Sequence, residues 1–193
     1  MEYKVSKLRI WLFRGLVIMA AGLMLVSWFL PWWAADIPIV IPQTNTVIIH
    51  PWALEQHSGP EYPSWTEGVS EMPAFFAPLM WIYLALNLGL IFYGGLRPRG
   101  KKGMLALGVA GVGFIAVAVI MIFYTSMRLR GLGSLYIPLI GLTYFDSPLY
   151  CYVTSGLKIG HYMAYGVGAL LIFLALFRNK IIGKTKINAQ SKA

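Results

Sequence analysis

Apolar residues in this chain fall in long unbroken blocks, not in the alternating or one-sided patterns of a soluble fold. Four blocks have no Asp, Glu or Lys in their interiors: about Gly15 to Trp33, Phe75 to Leu96, Met104 to Tyr124 and Gly160 to Phe177. A helix of about 20 such residues crosses roughly 30 Å of hydrocarbon, so each block predicts one membrane span. The first could be read as a signal peptide ending near Ala34 and Ala35. Cleavage there would place bulky Trp32 or Trp33 where a small residue is needed, so the segment is expected to be an uncleaved anchor. A tight basic turn, residues 97–103, joins spans two and three, and residues 178–193 form a basic tail. Two long segments, 34–73 and 125–159, therefore share one side of the membrane.

In these segments the pattern changes period. Two β-branched runs, 37–41 and 46–50, flank a turn of Pro42, Gln43, Thr44 and Asn45, which predicts a hairpin. Pro38 lacks a backbone donor and would place its strand at a sheet edge. Residues beyond His50 read as irregular, broken by Pro51, Gly59, Pro60, Pro63 and Gly68. The second segment carries one charge, Asp146, between Leu135 and Val153. Its large apolar side chains, Tyr136, Ile140, Tyr144, Phe145, Tyr150 and Tyr152, predict a further hairpin packed on the first, or a contact with a partner. The expected fold is an all-α membrane protein with a small β cap. It is a single four-transmembrane-helix bundle, residues 1–193, with hairpins in both long loops.

Composition agrees with the pattern: 58% of the 193 residues are hydrophobic and 12% charged, with mean hydropathy +0.67. Disordered chains are charge-rich, and a lone cysteine, Cys151, rules out an intramolecular disulfide. The net charge of +9 would suit nucleic acid, but the charges sort by membrane side instead. Thirteen of the 16 Lys and Arg lie in the amino-terminal segment, the 97–103 turn and the tail, while six of the seven acids lie in the long loops. The positive-inside rule then places both termini in the cytoplasm and both long loops outside, in a cell-membrane protein whose first partner is the lipid bilayer.

The spans contain little that could do chemistry. Arg14 is near a boundary, where its stem can snorkel, and His161 lies at the outer mouth of span four. Asn87 is the strongest polar group at depth, and an interhelical hydrogen bond is its expected role. A proton-coupled carrier would need an intramembrane carboxylate, and a haem held by paired histidines would need a second one. Ala106, Ala110 and Gly113 share a face of span three, and Ala164 and Gly168 form a small pair in span four. Such faces predict a closely packed bundle in preference to a lipid- or cofactor-binding groove.

One constellation could hold a metal: His50, Glu55 and His57, with Asp36 and Glu61 as possible neighbours. Imidazole and carboxylate suit copper, zinc or iron, although this spacing matches no standard motif. Cys151, between two tyrosines and with no basic neighbour, reads as a small buried hydrophobe. Trp28, Trp32, Trp33, Trp52, Trp65 and Trp81 read as an outer interfacial belt. No nucleotide loop or nucleophile motif appears. The leading expectation is thus a non-catalytic membrane subunit without a cofactor, docking through its apolar loops to other membrane or envelope subunits, or to copies of itself. The alternative is an accessory or metal-binding subunit of a membrane redox or oxygenase complex.

Ser27-Trp-Phe-Leu-Pro-Trp-Trp33 at the exit of span one, and Gly156-Leu-Lys-Ile-Gly-His-Tyr-Met-Ala-Tyr-Gly-Val-Gly168 at the entry to span four, carry a resemblance. With four spans and a large first outer loop, they resemble prokaryotic tetraspan proteins of claudin-like architecture. The resemblance implies a left-handed four-helix bundle capped by a β-sheet, with a role in adhesion, assembly or scaffolding. The chain lacks the Gly-Leu-Trp motif and paired loop cysteines of animal claudins, so the resemblance extends to architecture and not to junction function.

Overall fold

The computed structural model describes residues 7–38, 44–57, 73–98, 100–130, 138–145 and 151–183. Four helices, α1 (Lys7–Phe29), α2 (Phe76–Leu96), α3 (Lys101–Arg130) and α4 (Ile159–Ile182), are each long and apolar enough to cross a bilayer. Five strands complete the fold: β1 (Trp33–Pro38), β2 (Thr44–Ile49), β3 (Leu54–His57), β4 (Gly141–Phe145) and β5 (Cys151–Leu157). α1 packs on α2 and α4, and α3 packs on the same two, so the helices close into a four-membered ring.

Helix limits follow backbone chemistry more than hydropathy. α1 ends at Phe29 because Pro31, lacking an N–H, cannot continue it. The expected first span ran on to Trp33, which instead opens β1. α4 runs past Phe177 to Ile182, so Arg178 and Lys180, assigned from sequence to the tail, belong to the helix. α3 extends from the basic turn to Arg130, well beyond Tyr124.

The core runs the length of the bundle, through Phe13, Val17, Met24 and Trp28 on α1, Leu84 and Ile91 on α2, Leu107 and Phe114 on α3, and Leu171 and Leu174 on α4. Hydrocarbon outside these helices is as apolar as their side chains, so their association rests on packing and not on the hydrophobic effect. α3 and α4 approach closely. There a Cβ on Gly111 would stand 2.7 Å from the Gly168 carbonyl oxygen, and one on Gly168 would stand 2.8 Å from that of Gly111. Only glycine permits that contact. Ala106, Ala110 and Ala164 are buried as well.

All five strands join one antiparallel sheet in the order β3-β2-β1-β5-β4. The second pair of strands was expected to pack on the first; it is joined edge to edge, through β1 and β5, into a single sheet. Nor is the strand bearing Pro38 at an edge. β5 pairs only with Trp33 to Asp36, so Pro38 lies past the end of that ladder, where a donor is not required on that side. β3 occupies part of the stretch expected to be irregular.

Candidate functional site

Where sheet meets bundle, the chain crosses itself repeatedly. The Trp32 N–H donates to the Ile49 carbonyl (2.9 Å), the Lys158 N–H to Trp32 (2.9 Å) and the Gly160 N–H to Pro31 (3.1 Å). The Ser27 hydroxyl donates to the Gly160 carbonyl at 2.7 Å, and the indoles of Trp32 and Trp33 donate to the carbonyls of Ser27 and Leu139. These bonds satisfy carbonyls that the ends of α1 and β1 would otherwise bury unpaired. His161, buried here, lies 3.1 Å from the Tyr165 hydroxyl and meets the Trp32 ring edge-on at 5.5 Å. The space left under the sheet is about 10 Å³, on the order of one water.

The expected aromatic belt is rearranged. Trp28, Trp32 and Trp33 are buried, not turned outward. Ring contacts run from His50 through Trp52, Trp81 and Trp28 to Trp32 and His161, each between 5.5 and 6.4 Å. The rings therefore weld the cap to the helices. Trp65 lies outside the described residues.

The metal-ligand candidates are only partly gathered. His50 follows β2, its N–H donating to Ala53 (2.8 Å) in the turn to β3. Its Nε2 is 3.6 Å from a Glu55 carboxylate oxygen, its ring stacks on Trp52, and its Nδ1 is buried without a hydrogen-bond partner. On the β2–β3 ladder Glu55 pairs with Ile48 and His57 with Thr46, while the His57 side chain and Glu61 lie outside the described residues. Asp36 faces Lys158 at 3.7 Å. Among the described residues no three His, Cys, Asp or Glu side chains form a metal-binding group, so His50 and Glu55 stand as a pair.

Asn87 is buried, but its amide donates to the Tyr83 carbonyl one turn back on its own helix, at 3.0 Å. The expected bond to another helix is not made. α3 presents Gly113 there, a residue with no side chain to accept one; a Cβ on it would stand 3.7 Å from the Asn87 Oδ1.

Alternation along β4 and β5 sorts the remaining candidates. Val153 and Ser155 point into the molecule and are buried, whereas Leu142, Tyr144 and Tyr152 occupy the opposite face. Tyr144 and Tyr152 are cross-strand partners with ring centroids 4.8 Å apart. Exposure is 61% for Ile140, 62% for Leu142, 47% for Tyr144 and 56% for Tyr152, an apolar strip on a face that also carries exposed Thr154, the cross-strand partner of Leu142. Phe145 and Cys151 pair through their backbones, their side chains lying outside the described residues, as do Tyr136 and Tyr150 altogether. Sequence reading missed Leu142, although it is two residues before Tyr144 and so shares its face.

Charge is divided between the two ends. The described carboxylates, Asp36 and Glu55, are both in the sheet, while the basic residues of the α2–α3 turn and of the carboxyl-terminal end of α4 gather at the opposite end. Arg178, assigned from sequence to the basic tail, is buried there and donates to the Gly100 carbonyl at 2.6 Å. It ties α4 to the α2–α3 turn.

Four bilayer-length apolar helices with an antiparallel sheet at one end define a multi-pass, four-span membrane protein. No protein-family model matches the chain, and no curated protein matches it.

Proposed function

We propose that this chain is a non-catalytic membrane subunit that docks to a larger membrane or envelope assembly through the exposed face of its sheet. The observation that carries this reading is the row Ile140, Leu142, Tyr144 and Tyr152, apolar, exposed and outside the spans. Patches of this kind mark contact sites, and paired tyrosines bury large areas at a contact. The four helices and the sheet built from both long segments support the claudin-like architecture. The segregation of basic residues supports cytoplasmic termini and a cap on the outer surface of the cell membrane. On this reading the partner is a protein of that surface, and no nucleic acid or cofactor is involved. Ile140→Asp or Tyr144→Asp then abolishes co-purification of the larger complex in mild detergent while the chain still inserts. Retention of the complex by both variants would refute the docking role.

A second reading rests on His50, whose buried Nδ1 has no hydrogen-bond partner and whose Nε2 lies 3.6 Å from a Glu55 carboxylate oxygen. It would make the chain a metal-binding accessory of a membrane redox or oxygenase complex, holding copper, zinc or iron with His57 as third ligand. Elemental analysis decides it: stoichiometric metal lost on His50→Ala supports this reading, and metal-free protein from a metal-replete culture removes it.

A further inference from the structure

The α3–α4 seam has two sides. Its inner side is the Gly111–Gly168 crossing, and along its outer side runs an open groove of about 520 Å³. Leu105, Gly108 and Val112 form one wall and Ile172, Ala175 and Leu176 the other, so the groove is apolar throughout. It lies within the length of the spans, where the surrounding medium is hydrocarbon. An acyl chain suits such a groove, and the residues at its end select which lipid supplies it.

Both walls run into lysine. Lys101, Leu105, Gly108 and Val112 fall at i, i+4, i+7 and i+11, one stripe of α3. On α4 the stripe Ile172, Leu176 and Lys180 advances by one turn at each step. Both lysines are exposed, and the Lys180 ammonium lies 5.1 Å from the Phe177 ring centroid. Arg178 adds a fixed cation beside them, its guanidinium held by Gly100 and by the Asn179 side chain at 3.3 Å. Both described carboxylates are at the other end of the molecule, so none among the described residues neutralises this cluster. A second copy in the same membrane orientation would set an equally basic end against this one, like charge against like.

We infer that the groove binds one anionic phospholipid, an acyl chain lying along the α3–α4 seam and the phosphate held between Lys101 and Lys180. Basic sites between helix ends bind anionic headgroups in this manner. The inference does not depend on the function of the sheet face.

The full chain is reconstituted in nanodiscs with equal phosphatidylglycerol and phosphatidylcholine of identical acyl chains, and the lipid retained on each released protein is counted by native mass spectrometry. One phosphatidylglycerol per chain is expected, in preference to phosphatidylcholine. Lys101→Gln with Lys180→Gln lowers that retention about 25-fold, from about fivefold for each basic group. A Cβ on Gly108 would stand 3.9 Å from that of Ala175, an ordinary contact, so the position admits a side chain and Gly108→Leu adds its bulk to the groove wall. It removes the bound lipid, and Val112→Trp, at an exposed position, does so independently. Equal retention of the two lipids would overturn the inference, as would a preference that survives the double lysine substitution. Groove-filling variants that split a dimer and leave phosphatidylglycerol bound would assign the groove to a second copy instead.

Discussion

At the scale of single residues, size decides more than polarity. Gly111 and Gly168 set the α3–α4 distance because each faces the other's carbonyl, and an added methyl has nowhere to go. Gly111→Ala is therefore expected to destabilise the bundle by about 1–3 kcal/mol, the range for overpacking. Gly89→Ala, where a Cβ would meet nothing within 4 Å, stays within about 0.5 kcal/mol. Reversible unfolding in detergent measures both, and equal losses would show that the crossing is not a tight contact. Asn87 invites the opposite expectation from the one its chemistry first suggests. Its amide bonds its own helix, so Asn87→Leu exchanges an intrahelical bond for apolar contact and changes stability by less than about 1 kcal/mol. A loss of several kcal/mol in the same assay would reveal a bond to another helix.

At the scale of elements, the β4–β5 pair has two faces with different duties. Val153, 1% exposed, packs its side chain inward, and Tyr144 directs its ring away from the bundle. A carboxylate at the first site is buried without a partner and at the second is solvated. Val153→Asp should thus detach the cap and lower the unfolding temperature of the isolated chain, whereas Tyr144→Asp should leave that temperature within about 2 °C, as for a surface change under 0.5 kcal/mol. Comparable losses from both would mean that the tyrosine face is covered within the chain itself.

At the scale of the whole molecule, the segregation of charge carries the proposed orientation. The positive-inside rule would put the α2–α3 turn in the cytoplasm and the sheet outside. In a Cys151→Ser background, Ile140→Cys is expected to react with a membrane-impermeant thiol reagent in intact cells, and Gly100→Cys only after permeabilisation. Labelling of Gly100→Cys in intact cells would invert the topology. In that proposed orientation the lipid site would lie in the inner leaflet and the proposed docking face outside, so the two can be tested separately.

The positions of the four spans were legible in the sequence because bilayer thickness imposes a length and hydrocarbon excludes charge, and both leave marks in a linear pattern. The segregation of basic residues was legible for the same reason. Which face of each helix packs inward was not: Leu12, Ile18 and Leu25 are as apolar as Phe13, Val17 and Met24, yet the first three face outward and the others form the core. Where solvent and interior are alike, hydropathy carries no directional signal, and shape decides. Strand character near residues 44–49 was readable from its β-branched residues, but the place of β1 at the centre of the sheet was not. Its ladder with β5 joins segments on either side of two helices, and it needs the ends of α1 and α4 side by side, which the bundle supplies. The burial of Arg178 and the groove that ends in Lys101 and Lys180 were likewise decided in three dimensions, because each depends on a distance between elements that no local pattern encodes.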